Sequence, residues 1–310
     1  MPLYGILLSL LTAFFWAASP ILMERAISST AISTAVINPI RSIAYVVASF
    51  VAMWIFTNGN IPVVSSYNAL ICILSSVFFN YIIGDVFFYI SIKKAGLTVP
   101  MAITSAHPIL IPFTSWILLR EQLTYQIFFC VILVVTGLLF LHFASPTVMD
   151  KRNEDSVVFN RKEQRKGFLY AIAAGCAWAI GAPITKMAMI ISEFGAIELT
   201  FYRAIGLLLI VWIMRVAGGI FGKTKPASLR TVPLRAWGYL MLAGLVGLVA
   251  GSIAYSTCLQ LMPVAIVTAV TSISPVITAL FGKYFLHERL TRWQYFGIGL
   301  IFIGSISASL

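Results

Sequence analysis

Residues 102–108 read AITSAHP and residues 269–275 read AVTSISP, so the pattern A-x-T-S-x-x-P occurs twice, at an offset of 167 (269 minus 102). The pattern Glu-x-Leu-Thr follows each copy, beginning at Glu121 and again at Glu288, at the same offset. Two motifs in the same order at one spacing indicate an internal duplication, and such a repeat determines the architecture of a chain.

The duplication covers most of the chain. At an offset of 162 the first half matches the second at four positions, which are Gly5 and Gly167, Trp16 and Trp178, Ala17 and Ala179, and Arg41 and Arg203. At an offset of 167 two further glycines match, which are Gly84 with Gly251 and Gly137 with Gly304. The offset changes where the loop at 217–235 is longer than the loop at 57–67.

Composition identifies the environment of both halves. Of 310 residues, 60% are hydrophobic and 10% are charged, and the mean hydropathy is +0.97. Soluble chains carry about 25% charged residues, so the composition excludes a soluble enzyme, a nucleic-acid-binding protein, a secreted scaffold and a disordered chain. The four cysteines lie inside apolar runs without metal-ligand spacing, and we expect no metal site. A polytopic membrane protein remains.

The apolar runs predict the number of spans, because a helix needs roughly 20 apolar residues to cross the hydrocarbon core. Ten segments qualify: 4–23, 31–56, 68–91, 98–119, 123–143, 167–191, 196–216, 236–261, 264–286 and 291–309. We predict an all-α fold with a first five-helix repeat at 1–144, a charged linker at 145–166, with room for a short surface helix, and a second repeat at 167–310. Because each repeat has an odd number of helices, the second repeat has the opposite orientation in the membrane from the first. Inverted repeats are a transporter architecture, in which the substrate site lies near the midplane between the repeats.

The chain resembles the EamA-type permeases of the drug/metabolite transporter superfamily. The resemblance rests on the five-plus-five layout, the mid-helix Pro108 and Pro275, the two Glu-x-Leu-Thr motifs, and the arginines Arg41 and Arg203. It implies a central cavity lined mainly by the third, fourth, eighth and ninth helices. It also implies alternating access, commonly with export of amino acids, metabolites or drugs.

Basic residues predict the orientation. Sixteen follow odd-numbered helices, which are Arg25, Lys93, Lys94, Lys151, Arg152, Arg161, Lys162, Arg165, Lys166, Arg215, Lys223, Lys225, Arg230, Arg235, Arg289 and Arg292. Only Arg120 lies in a loop on the other side. Cytoplasmic loops carry the excess of Lys and Arg, which places the linker in the cytoplasm and both termini outside. The resemblance implies cytoplasmic termini instead, so two orientations stay open.

Ionisable residues inside a span are costly and mark functional sites. Asp85 is a candidate for proton coupling or for binding a substrate amine, with a structural ion pair as the alternative. His107, just before Pro108, is a candidate for proton coupling and substrate binding, or for a hydrogen bond to the backbone carbonyl of Ile103 or Thr104. Both residues break the repeat, since Ser252 and Ser274 occupy the corresponding positions.

Other charged residues have structural alternatives. Arg41 and Arg203 correspond in the repeat, so each either braces its half or binds an anion. Lys186 and Lys283 lie near helix ends, where we expect them to reach the membrane interface. We expect Glu121 and Glu288 to cap the helix that follows each.

Small polar and aromatic residues complete the candidate site. The repeated motif supplies hydroxyls that either face a cavity or lie between helices, namely Thr104, Ser105, Thr271, Ser272 and Ser274. Asn80, Tyr89 and Tyr255 are further cavity candidates. The repeated Trp16 and Trp178 fit a gate or simple packing.

No catalytic or P-loop motif occurs. We therefore expect that the protein is not an enzyme, binds no cofactor and does not hydrolyse ATP. We predict a secondary active transporter, an exporter of small metabolites, amino acids or drug-like solutes, with protons as the candidate coupling ion. An exchanger of phosphorylated or nucleotide-linked solutes, and a membrane enzyme or scaffold, are the alternatives. The expected partners are a small solute and the lipid bilayer of the plasma membrane, without nucleic acid; a homodimer stays open.

Overall fold

The structure is a computed structural model that describes residues 3–30, 32–95, 100, 103–104, 107–122, 124–143, 161–221, 227–277 and 291–307. All regular structure in these ranges is helical. Three residues singled out in the sequence, Ser105, Lys283 and Glu288, lie outside the described residues, as does most of the predicted linker.

Ten helices are present in the described ranges. They are α1 Leu3–Thr30, α2 Ile37–Phe56, α3 Tyr67–Ala95, α4 His107–Leu119, α5 Tyr125–Phe143, α6 Arg161–Ser192, α7 Ala196–Phe221, α8 Leu234–Leu261, α9 Val264–Ile277 and α10 Arg292–Ser307. Six of them, α1, α2, α3, α6, α7 and α8, are long and apolar enough to cross a bilayer. The chain is therefore an integral membrane protein. The number of ten spanning helices stays a prediction, because the predicted fourth and ninth spans include undescribed residues.

The start of α6 differs from the predicted boundary. The helix begins at Arg161 rather than 167, so the last residues of the predicted linker are helical. Glu163 accepts hydrogen bonds from Lys94 at the end of α3 and from Lys166 one turn later. An ion pair at i,i+3 stabilises a helix, and the contact with Lys94 fixes this polar extension of α6 beside α3.

Helices of one repeat lie mainly against helices of the other. α1 lies against α8, and its counterpart α6 lies against α3; α2 contacts α7 and α5 contacts α10. Each of these contacts is matched by the contact between the corresponding helices, as a two-fold relation between the halves requires. The two-repeat architecture is therefore visible in the contacts as well as in the sequence.

The contact of α5 with α10 shows the direction of that two-fold axis. Gly137 lies against the backbone of Gly297, and Gly304 lies against the backbone of Cys130. The later residue of α5 meets the earlier residue of α10, so the two helices run antiparallel. Corresponding helices are antiparallel only when the axis is perpendicular to them, and this is the arrangement that inverted repeats predict.

Each long helix α3 and α8 contains a π-helical segment near its middle, which the sequence analysis did not predict. The segments are Phe78–Asp85 and Gly244–Ala250, at corresponding positions of the two repeats. Gly84 and Gly251 lie at their ends, beneath the indoles of Trp178 and Trp16 respectively. The repeated glycines and tryptophans are therefore contact partners, each pair joining one repeat to the other.

Candidate functional site

A cavity of about 210 Å³ lies between the repeats. Residues from both halves line it, from α1, α2, α3 and α4 on one side and from α6, α7, α8 and α9 on the other. The lining combines aromatic and aliphatic side chains with eight Ser and Thr hydroxyls, three charged groups, an amide and an imidazole. Binding sites for small molecules combine apolar walls with polar groups that set orientation.

Arg41 of α2 is held at the cavity wall by groups from α2 and α3. Its Nη1 donates to Asp85 Oδ2 at 3.1 Å, to Asn38 Oδ1 at 3.4 Å and to the hydroxyl of Tyr89. The hydroxyl of Tyr89 in turn donates to Asp85 Oδ2 at 2.9 Å. Only 3% of Arg41 is exposed. A buried cation with a carboxylate and neutral acceptors around it is a braced ion pair, which supports the structural alternative for Asp85.

Arg203 of α7 is equally buried but has different neighbours. Its exposed fraction is also 3%, and its guanidinium carbon lies 4.9 Å from the centre of the Tyr81 ring. Within the described ranges, no carboxylate forms an ion pair with it and its Nε has no hydrogen-bond partner. The two arginines that correspond in sequence are therefore not equivalent in structure.

His107 is the first residue of α4 and lines the cavity beside Pro108. Its Nδ1 lies 2.7 Å from the carbonyl oxygen of Thr104, and its ring meets the Trp178 ring edge-on at 6.1 Å. The predicted hydrogen bond to the backbone carbonyl of Thr104 is confirmed. Because Nδ1 is engaged by a carbonyl acceptor, it carries the proton in the neutral ring, and Nε2 is then the acceptor nitrogen.

The π-helical segment of α3 provides backbone acceptors at the cavity. The carbonyl of Asn80 accepts from Trp178 Nε1 at 3.0 Å, and the carbonyl of Tyr81 accepts from Asn38 Nδ2 at 3.0 Å. A π-helical turn disturbs the usual backbone pairing and occurs often at functional sites. Here side chains from α6 and α2 use the carbonyls of that segment, which fixes the wall of the cavity across the two repeats.

Hydroxyls of the repeated motif bond mainly to their own helices. Thr104 Oγ1 donates to the carbonyl of Pro100 at 2.7 Å, and Ser272 Oγ and Thr271 Oγ1 donate to the carbonyl of Thr268 at 2.7 and 3.2 Å. As donors in these bonds, Thr271 and Ser272 keep hydroxyl lone pairs that can accept from a ligand.

Every described residue that we predicted for the site lines this one cavity. These are Arg41, Asn80, Asp85, Tyr89, Thr104, His107, Arg203, Tyr255, Thr271, Ser272 and Ser274. What they bind stays a prediction. Trp16 and Trp178 also line the cavity, and Trp16 contacts Tyr255 with ring centres 4.8 Å apart.

Tyr81 and Thr185 also line the cavity and were not predicted from the sequence. Tyr81 hydrogen-bonds with Ser252 Oγ at 3.2 Å, and Thr185 Oγ1 accepts from Asn80 Nδ2 at 3.4 Å. Tyr81 had a usable signal, because residues spaced by four share a helical face and it precedes Asp85 by that spacing.

The prediction that Glu121 caps the helix that follows it was wrong. Among the described residues its carboxylate accepts from the backbone N–H of Val264, at the start of α9, at 3.0 and 3.2 Å. Lys186 donates to Glu121 at 2.8 Å and to the carbonyl of Met262 at 2.9 Å, and its position at the membrane interface stays a prediction. The positive N-terminus of α9 and the ammonium both attract the carboxylate, and spacing along the chain does not reveal such long-range partners.

Comparison with known proteins identifies relatives over the whole chain. The profile of the EamA-like transporter family matches residues 3–143 and 165–310. An uncharacterized transporter of Archaeoglobus fulgidus is 22% identical over 298 residues, which are 96% of this chain and 95% of the relative. A solved crystal structure aligns with a TM-score of 0.72 at 14% identity, over 99% of this chain and 98% of the other, and shares the fold.

Shorter relatives match part of the chain. An uncharacterized transporter of a Sinorhizobium species is 30% identical over 139 residues, which are 44% of this chain and 92% of the relative. A protein of Aeromonas hydrophila, named as a probable 4-amino-4-deoxy-L-arabinose-phosphoundecaprenol flippase subunit ArnE, is 25% identical over 104 residues, which are 32% of this chain and 91% of the relative.

Proposed function

This chain belongs to the EamA-like transporter family, and from that membership and the cavity we propose that it is a secondary active transporter that exports small metabolites by alternating access. The observation that carries the proposal is the cavity between two antiparallel repeats. In inverted-repeat transporters the substrate site lies between the repeats, and rocking of one against the other exposes it to each side in turn.

The size of the cavity favours a small solute. Pockets for drug-sized ligands measure about 300–1,000 Å³, whereas this cavity measures about 210 Å³. A metabolite of amino-acid size therefore fits better than a large drug or a nucleotide-linked sugar. A small phosphorylated solute is the second candidate, since two arginines line the cavity.

Glu121, Lys186 and the start of α9 form a contact at the end of the molecule away from the linker. Alternating access requires this contact to change when the cavity opens at that end.

Coupling to protons is proposed through Asp85 and His107, the acid and the imidazole that line the cavity. Asp85 is engaged by Arg41 in this state, so proton binding there requires a second state in which that contact is weaker. A ligand or proton shifts a conformational equilibrium only by its different affinity for the two states. The plasma membrane is the proposed location, because export acts across it.

Flux through reconstituted proteoliposomes tests the function. A mixture of labelled amino acids and small organic acids is trapped inside, and we expect saturable efflux of at least one solute through the wild-type protein. Ala182→Trp fills the cavity and should abolish this flux, whereas Leu209→Trp, on an exposed face, should leave it unchanged. Flux that survives Ala182→Trp would show that the transport pathway lies outside the cavity. Absence of flux for every solute would contradict the proposed transport function.

A further inference from the structure

The two repeats provide their arginines with different partners. Arg41 has Asp85 and Tyr89, and the repeat offset places Ser252 and Ser256 at the corresponding positions for Arg203. The second repeat therefore retains the cation and lacks the carboxylate. A residue that merely braced each half would need the same counter-charge in both.

Both arginines have a buried Nε without a hydrogen-bond partner among the described residues, so the missing carboxylate is what sets Arg203 apart. The hydroxyl of Ser256, at the position that corresponds to Tyr89, is also buried without a partner there. Unpaired polar groups cost free energy when buried, and an unpaired charge costs more. Since Arg203 lines the cavity, a negatively charged group of a bound solute would offset that cost.

Charge counting sets the class of solute. Among the described residues, the ionisable side chains that line the cavity, apart from tyrosines, are Arg41, Asp85, His107 and Arg203. Arg41 and Asp85 neutralise each other, so with a neutral imidazole these four residues carry one net positive charge. A monoanion balances this charge. A dianionic phosphate ester would need a second unpaired cation, but the other arginine, Arg41, is already paired with Asp85.

Neighbouring groups fit a carboxylate with an apolar body. The hydroxyl of Tyr81 lies 3.3 Å from that of Tyr45 and 3.2 Å from Ser252 Oγ, which gives a row of hydroxyls beside Arg203. Trp16 and Tyr255 form an aromatic wall on the same cavity. The hydroxyls and guanidinium suit carboxylate oxygens, and the rings suit the remainder of the solute.

We propose that the cavity binds a small monocarboxylate, an inference that rests on the proposed function. The carboxylate of this solute contacts Arg203, and the apolar part of the solute lies against Trp16 and Tyr255. The inference concerns binding, so it is tested on the purified full chain without transport. The probes are benzoate, phenylacetate and propionate. Benzamide is the neutral analogue of benzoate, and phenyl phosphate is the dianionic one.

Thermal unfolding in detergent provides the measurement, because a ligand that binds the folded state raises Tm. We expect the carboxylates to raise Tm and benzamide to have no effect. In Ser252→Asp the new carboxylate should pair with Arg203 as Asp85 pairs with Arg41, and carboxylate affinity should fall roughly 10- to 100-fold. Ser252→Asn is the matched neutral variant: it loses the same hydroxyl without adding a charge, so carboxylate affinity should fall less there than in Ser252→Asp.

The outcomes that overturn the inference are distinct. They are equal shifts with benzoate and benzamide, a larger shift with phenyl phosphate, no shift with any of the three carboxylates, or full binding in Ser252→Asp. If Ser252→Asp fails to fold, Arg203→Gln decides, since binding should be lost there and its survival would overturn the inference. Carboxylate binding without flux would instead reject the proposed transport, and flux of neutral solutes without carboxylate binding would reject the inference alone.

Discussion

At the scale of single residues, the main finding is the difference between Arg41 and Arg203. Their correspondence in the repeat favoured one shared role, either bracing or anion binding. Arg41 has a carboxylate, an amide and a phenol around its guanidinium, while Arg203 has the face of Tyr81. This difference favours bracing for Arg41 and anion binding for Arg203, and both roles stay predictions.

This difference predicts unequal losses of stability. Arg41→Ala leaves Asp85 without its cation at a largely buried site, and breaking such a pair costs roughly 3–5 kcal/mol. Arg203→Ala removes a charge that lacks a carboxylate partner in the described chain, so we expect a loss of about 1 kcal/mol or less. Denaturant unfolding of both variants in detergent measures this, and equal losses would restore symmetric bracing.

The coupling proposal makes a second prediction. Asp85→Asn removes the titrating carboxylate but retains acceptor atoms near Arg41, so it should abolish accumulation driven by a pH gradient. Solute counterflow needs no net proton movement and should persist. His107→Gln should weaken solute binding and flatten the pH profile of transport. Both are measured in proteoliposomes; gradient-driven accumulation by Asp85→Asn would remove its proposed role, and equal loss of both modes would indicate a structural one.

The sequence located these residues better than it located their partners. Asp85 and His107 could be named because ionisable groups inside apolar runs are rare, and both line the cavity. The pair of Arg41 with Asp85 joins α2 to α3 across 44 positions, and the pair of Lys186 with Glu121 joins residues 65 positions apart. Contacts of this kind depend on how helices are arranged, which one sequence does not state.

At the scale of helices, corresponding glycines and tryptophans hold the repeats together. Trp16 of α1 lies on Gly251 of α8, and Trp178 of α6 lies on Gly84 of α3. The repeat revealed these four residues as pairs along the chain, but their contacts form between the halves. The π-helical segments beside them could not be predicted, because apolar periodicity does not distinguish a π-helical turn within a span from an α-helical one.

Substitution of these glycines tests that contact. A Cβ at Gly251 would lie 2.8 Å from Trp16 Nε1, so Gly251→Ala forces the indole to move. Overpacking of this kind costs about 1–3 kcal/mol. Gly238, in the same helix, has no atom within 4 Å of an added Cβ, and Gly238→Ala should gain up to about 1 kcal/mol of helix stability. Unfolding measurements in detergent that show no difference would contradict the contact.

At the scale of the whole molecule, the two-fold relation explains both the motif repeat and the cavity. α5 and α10 run antiparallel, and each contact of α1 with α8 has a counterpart between α6 and α3. The duplication and the odd number of spans per half were sufficient to predict inverted repeats. The number of spanning helices depends on residues outside the described ranges and stays a prediction.

Orientation in the membrane is a prediction at this scale. The excess of basic residues on the linker side places the linker in the cytoplasm. A cysteine at Ser156, in a background without the four native cysteines, should react with an impermeant maleimide only after the cells are opened. Labelling of intact cells would contradict this and place both termini in the cytoplasm.

The most direct test of the account is whether one cavity residue is reached from both sides of the membrane. Thr271 lines the cavity and is 4% exposed. Thr271→Cys, in the same cysteine-free background and reconstituted in one orientation, is treated with an impermeant maleimide from either side. We predict labelling from each side, with both rates strongly reduced when Ala182→Trp fills the cavity. Labelling from one side only, or rates unaffected by Ala182→Trp, would contradict alternating access through this cavity.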